Sequence, residues 1–406
     1  MKQYKFNQRR FILYLLLIFF ILWMLPSASW AREDVLQTKG KKLSEIQINP
    51  NVKIVGLGES THGNSRLQSM RWDLFEQLIK QGYSHFGLEA FYEDGRLIND
   101  YIQGKVDATG IEIAGRMHFF LYNTKEMAEL FDHLKEYNKN HKEKVSFFGF
   151  DMQSFDGPLE IFVEEMKSYD EEVVELQKLL KTSNQLSPSE KKTVLQKMEQ
   201  ILQQQKQEIL KKQGQSFFDE MDYILTILKQ NVDAMDSTKM VIKRDYYMAK
   251  NIKWYEEHHQ GKVFVCGHNG HILSNFSSSK VMGDYLKEFY GKSYYPIGTA
   301  IYDNEFYSKK ITILNRWKEL QKFTLRSTNP LMRDFAATGH EERLYQFDQL
   351  QDKDLKIFQR EYTFPEIGAG YNQFLSRSYF DKYEPTKAAD AMILLSSDKA
   401  YEYLGD

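Results

Sequence analysis

Four short apolar runs in this chain each end in residues that can move protons. Val52 to Leu57 leads into Gly58-Glu59-Ser60-Thr61-His62-Gly63, and His85 to Ala90 leads through Glu89. Val145 to Phe150 ends in Gly149-Phe150-Asp151-Met152-Gln153, and Lys262 to Gly267 runs into His268-Asn269-Gly270-His271. If the runs are strands of one mostly parallel sheet, their carboxyl ends line the crevice where such sheets bind ligands. Glu59, His62, Glu89, Asp151, His268 and His271 then converge on one rim. Histidines among carboxylates suit general acid–base catalysis, because a neutral imidazole takes a proton from water near pH 7. Each residue alone has a plainer reading: a strand-end acid commonly caps the next helix, and a lone histidine is commonly structural. His85, His118, His133 and His141 belong to that structural class. The coincidence at four strand ends favours a site.

Arg71 adds to the cluster. It lies four residues after Leu67 and three before Leu74, beside the apolar stripe of a helix. A guanidinium buried there needs a carboxylate, with Glu59 and Glu89 as candidates; the alternative is snorkelling to solvent. Metal binding competes with acid–base chemistry, since Glu59-x-x-His62 and His268-x-x-His271 each offer two ligands. His-Glu-x-x-His is absent, and an arginine beside the carboxylates opposes a dication, so the metal-free reading is preferred and no cofactor is expected. No Gly-x-Ser-x-Gly elbow, Walker A motif or Gly-x-Gly-x-x-Gly after a strand occurs.

The elements that must hold these residues read as βαβ units. A helix is expected from about Asn64 to Gln81, closed by Gly82 at C′. Another follows Asn123, which with Glu126 resembles a capping box. Tyr294 to Ala300 and Ala391 to Leu395 are weaker strands. Between Gly157 and Met240 the chain becomes Lys/Glu/Gln-rich and helical, with a break at Pro188. The expected fold is α/β: a mostly parallel sheet flanked by helices, formed by residues 32–156 and 241–406, with residues 157–240 as a helical insertion or lid. A solvated helical hairpin with no role at the site is the alternative for that segment.

Residues 1–31 are a separate object. Lys2, Lys5, Arg9 and Arg10 precede the apolar run Phe11 to Leu25, then Pro26 and Ser29-Trp30-Ala31, the layout of a secretory signal peptide. The run is shorter than the roughly 20 residues that span a bilayer, so cleavage is preferred over an N-terminal anchor. The expected location is secreted, or anchored to the outer face of the cytoplasmic membrane through residues 11–25. The 406 residues carry 54 Lys plus Arg against 56 Asp plus Glu, which offers no broad basic field for nucleic acid. A single cysteine, Cys266, excludes an internal disulfide framework. The aromatic residues, 28 Phe, 25 Tyr and 5 Trp, leave room for a non-catalytic envelope protein that binds a glycan or lipid.

Together, Gly58-Glu59-Ser60-Thr61-His62-Gly63, Arg71, Gly87-Leu88-Glu89, Gly149-Phe150-Asp151-Met152-Gln153 and His268-Asn269-Gly270-His271 resemble the motifs of the erythromycin esterase family. Arg244-Asp245, Met248-Ala249, Asn251, Gly283, Gly291 and Gly298 continue the resemblance in order, across roughly residues 40 to 400. The resemblance implies an α/β fold with a helical lid over a cleft, and water-mediated opening of a macrolide lactone, the chemistry of antibiotic resistance. It implies that His62 is the general base, that Glu59, Glu89 and Arg71 shape the site, and that His268 and His271 stabilise the oxyanion or protonate the leaving alkoxide. Asp151 and Asn269 are expected to face the substrate. Two positions depart from the pattern: Arg66 stands where many relatives carry glutamate, and Leu121-Tyr122-Asn123 replaces a tryptophan-rich stretch. Such a protein, if exported, could act on a cell-envelope or extracellular ester.

Overall fold

The computed structural model describes residues 28–235, 239–277 and 279–404. The apolar run at residues 11–25 and most of the expected signal peptide lie outside the described residues. Among those described, no helix is long and apolar enough to cross a membrane.

Eleven strands are assigned among the described residues: β1 Ile54–Glu59, β2 Tyr83–Phe91, β3 Ser146–Asp151, β4 Lys262–His268, β5 Tyr294–Ile311, β6 Trp317–Arg326, β7 Glu342–Gln346, β8 Tyr362–Pro365, β9 Gly370–Tyr371, β10 Phe380–Tyr383 and β11 Ala391–Asp398. The main sheet runs β3-β2-β4-β1-β5-β11-β7, with β6 and β9 added along the outer part of β5, while β8 and β10 form a separate pair. Pairing from β3 across to β11 is parallel; β7 and β6 pair antiparallel. The fold is therefore α/β with a mostly parallel sheet flanked by helices, as expected. All six residues of β1 are buried. Helices cover both faces of a parallel sheet, which is why its central strands read as unbroken apolar runs.

Register decides which side chains meet. Glu59 at the end of β1 lies beside His268 at the end of β4, and Leu88 of β2 lies beside Cys266. Glu89 therefore projects over Gly267, where a Cβ would come within 2.9 Å of its Oε2.

The helix after β1 spans Ser65–Ile79, with Leu67, Met70, Leu74, Phe75 and Leu78 buried. Gly82 follows it at φ +88°, a left-handed conformation that favours glycine. The helix Lys125–Asn140 is capped by Thr124, whose hydroxyl accepts the Met127 N–H, and not by an Asn123–Glu126 box. Glu126 instead accepts hydrogen bonds from the Ser65 hydroxyl and the Glu402 N–H. Thr124 is the extended residue at the helix start, which a cap requires.

Helices Asp156–Met166, Val173–Leu179, Pro188–Gln204, Lys206–Lys212 and Gln215–Met235 fill the segment after β3. They share an apolar core that includes Phe162, Met198, Met221 and Leu228. Pro188 sits in the first turn of its helix, behind a Ser187–Glu190 capping box. The bundle meets the sheet edge where the Asn231 amide donates to the carbonyls of Met152 and Gln153. The helix Met240–His258 then leads into β4.

Candidate active site

The loop after β1 carries His62 back over the strand end. Gly63 makes this approach feasible, because a Cβ there would lie 2.0 Å from the Tyr307 carbonyl oxygen of β5. His62 Nδ1 is 2.6 Å from Glu59 Oε1. The other oxygen of Glu59 pairs with Arg71, which is 1% exposed. Burial pushes the Glu59 carboxyl up, but Arg71 and His62 outweigh it and hold it below its ordinary range. An ionised Glu59 accepts the Nδ1 proton of His62 and leaves Nε2 as the basic nitrogen. Tyr122 completes this half: its hydroxyl donates to Glu59 Oε1 at 3.0 Å, and its ring lies under the Arg71 guanidinium, 4.8 Å away. Phe119 packs edge-on against His62.

A second half is built around Arg244, from the helix Met240–His258. Its Nη2 donates to Glu89 Oε1 and Asp151 Oδ2, each at 2.8 Å. His271 Nε2 lies 3.3 Å from Glu89 Oε1, and its Nδ1 lies 2.7 Å from Asp245 Oδ1. Burial lowers the His271 pKa, but Glu89 and Asp245 more than compensate and hold it above the usual value of 6.5. For Glu89, burial is outweighed by His271, Arg244 and the His268 N–H, so it stays ionised to well below the usual carboxylate range.

His268 stands between the halves, its ring centroid 5.2 Å from His62 and 6.5 Å from His271. Its backbone N–H donates to Glu89 at 2.8 Å. Its Nδ1 accepts the Gly270 N–H at 3.1 Å, which places the ring proton on Nε2. That Nε2 is buried and has no hydrogen-bond partner. Burial, with His62 and His271 nearby, pushes the His268 pKa down to about 3. The ring is therefore a neutral donor with nothing to donate to.

His62, Glu59, Arg71, Glu89, His268 and His271 are thus brought together. Arg71 pairs with Glu59 alone, while Glu89 takes Arg244. Asp151 stands behind Arg244 and also accepts the Gln153 N–H, so it orients the guanidinium. Asn269 turns away from the histidine rings. It is wholly buried, its amide N–H groups donate to the Thr299 carbonyl and to Glu366, and its Oδ1 accepts the Thr299 N–H. The expectation that Asn269 faces a substrate does not fit this placement, since both ends of the amide are already engaged within the fold. Tyr122, Phe119 and Asp245 were not singled out as site residues by type and spacing, nor was Arg244. Arg244 and Asp245 come from a helix remote from the strand ends, and their adjacency at its start was the available signal.

Chemically, the cluster offers a base in His62, a neutral N–H donor in His268 and a more readily protonated imidazole in His271. Cys266 is 1% exposed, and burial pushes its thiol pKa up, so it offers no thiolate nucleophile. Among the described residues, no group of three or more His, Cys, Asp or Glu is arranged to hold a metal ion.

Residues 79–397 match the family model described as erythromycin esterase. The chain is 27% identical over 297 residues to an erythromycin esterase type II of Escherichia coli, covering 62% of this chain and 70% of the relative. Its fold is similar to that of a Bacillus cereus protein, at TM-score 0.77 and 21% identity, covering 93% of this chain and all of the other. It is also similar to a histidine-to-asparagine mutant of the erythromycin esterase EreC in its open conformation, at TM-score 0.61 and 16% identity, covering 91% and 98% of the two chains.

Proposed function

The chain belongs to the erythromycin esterase family, and we propose that it cleaves a carboxylic ester or lactone with a water activated by His62. The observation that carries this reading is the pairing of a Glu59-oriented His62 with the unpartnered Nε2–H of His268, the two rings 5.2 Å apart. His62 Nε2 takes a proton from water as the oxygen attacks the carbonyl carbon. His268 Nε2–H stabilises the oxyanion that forms, and it needs no change of protonation to do so. His271, whose Nδ1 faces Asp245 and whose Nε2 lies between Arg244 Nη1 at 3.1 Å and Glu89 Oε1 at 3.3 Å, supplies the proton for the departing alkoxide. Arg244 keeps Glu89 ionised throughout. In this reading the two arginines neutralise the carboxylates a dication would need, which favours the metal-free mechanism.

The helices between Asp156 and Met235 act as the lid over the cleft. Residues 1–31 direct export, by cleavage or as an anchor through residues 11–25, so the substrate is a small-molecule ester met outside the cytoplasm. Macrolide lactones and cell-envelope esters are the two classes to compare. Mass spectrometry of erythromycin and of a panel of carboxylic esters, incubated with the protein and with a His62→Ala variant, tests the proposal. A product heavier by one water, formed only by the unmodified protein, supports it. Turnover unchanged in a folded His62→Ala variant removes the base assignment, and no turnover on any ester removes the activity.

A further inference from the structure

Beyond Asn304, the last residue of β5 paired with β11, β5 continues as an arm with β6 along one side and β9 beside Lys309 and Lys310 on the other. The seven residues from Glu305 to Ile311 span about 20 Å at the usual rise per residue. The arm is rooted at the candidate active site: the Tyr307 N–H donates to the Gly63 carbonyl at 3.1 Å, and Lys309 lies over the Phe120 ring.

Its tip breaks the usual chemistry of turns. The Thr312 carbonyl accepts the Asn315 N–H, Thr312 N–H donates to Arg316, and Asn315 has φ +56°. This is a tight hairpin loop whose central positions normally hold small or polar residues. Here they hold Ile313 and Leu314, which are 69% and 75% exposed. Trp317 on the return strand and Phe374 and Leu375 on a neighbouring segment are also exposed. A shallow cavity lined by Lys310, Ile313, Leu314 and Phe374 shows that the two segments meet. Five of the ten exposed large apolar side chains among the described residues lie at this one spot. That concentration marks an interaction surface rather than scattered exposure.

Charge identifies the partner. Residues 305–319 contain four cations, Lys309, Lys310, Arg316 and Lys318, against two acids, Glu305 and Glu319; residues 367–380 contain Arg377 and no acid. The whole chain, by contrast, has slightly more acids than bases. Apolar side chains at a tip, a tryptophan beside them and a rim of lysine and arginine match the headgroup region of an anionic bilayer. We propose that the β5–β6 arm docks on an anionic phospholipid membrane through Ile313, Leu314, Trp317 and Phe374. This surface is separate from residues 11–25, and its docking is independent of hydrolysis at the His62 site.

The buried state of Cys266 allows a direct test, because Leu314→Cys in the full chain can be labelled selectively with an environment-sensitive dye. The label should shift to the blue on vesicles containing phosphatidylglycerol, and far less on pure phosphatidylcholine. The same label on an Ile111→Cys variant, an exposed site outside the β5–β6 arm, should not respond. Arg316→Gln with Lys318→Gln should weaken partitioning ~10-fold or more, since each surface cation contributes about five-fold. No shift on either vesicle overturns the proposal, as does an equal response at Ile111→Cys. A shift without vesicles that grows with protein concentration assigns the surface to a second copy of the chain and also overturns it.

Discussion

Glu59 links His62 to Arg71: one carboxylate oxygen lies 2.6 Å from His62 Nδ1, and the other pairs with the buried guanidinium. The carboxylate therefore has two duties, fixing the tautomer of the proposed base and neutralising an arginine with no access to solvent. These duties can be separated.

Glu59→Gln keeps the shape but removes the charge. Turnover should fall by ~10²–10⁴-fold as the His62 tautomer and its basicity are lost. Stability should fall by about 3–5 kcal/mol, because Arg71 becomes an uncompensated buried charge. Thermal melting of Glu59→Gln beside Glu59→Gln/Arg71→Met measures the second duty. The double variant should recover much of the stability and none of the activity.

The unpartnered Nε2–H of His268 leads to a different expectation. His268→Ala should lower kcat by ~10²–10³-fold with little change in KM, the signature of a donor used mainly in the transition state. Because its pKa is pushed down to about 3, His268 should contribute no limb to the pH–rate profile between pH 5 and 8. A titration seen in that range that vanishes in His268→Gln would contradict this assignment.

Stability should depend on pH through Glu89 and His271 in opposite senses. Glu89 is depressed, so its contribution is present above its ordinary value of 4.5 and is lost as pH falls towards its folded value. His271 is raised, so its contribution is complete below its ordinary value of 6.5 and is lost as pH rises through its folded value. The network stabilises most between these ordinary values. Melting curves of the protein and of His271→Asn should differ most near pH 5–6 and converge at higher pH; a gap that widens with pH would reverse the sign.

The proton-carrying core of this site was legible because parallel strands announce themselves. Ile54–Glu59 and Lys262–His268 are buried on both faces, so each reads as an apolar run, and the polar residue that ends it marks the crevice. Arg244 was harder to place, since its partners Glu89 and Asp151 are 155 and 93 residues away in the chain. No local pattern encodes such a pairing. Asn269 shares a motif with His268 and His271, yet its fully buried amide is fixed by β5 and Glu366, which only the tertiary fold reveals. The arm was missed for a related reason. β6 is largely exposed, so it lacks the alternation of a strand packed on a core.

The position of Tyr122 gives it a defined task. Its hydroxyl donates to the same Glu59 oxygen that His62 faces, 3.0 Å and 2.6 Å away respectively. Two donors on one oxygen share its negative charge, so the Tyr122 hydroxyl competes with His62 for Glu59 Oε1 and helps fix the carboxylate's orientation. In Tyr122→Phe the carboxylate serves His62 and Arg71 alone. Because both of those partners remain, kcat/KM should fall less than ~10-fold, far less than in Glu59→Gln. The ring remains to pack under Arg71, so melting should change little. A loss of activity as large as that of Glu59→Gln would mean that the hydroxyl, and not Arg71, holds the carboxylate in place.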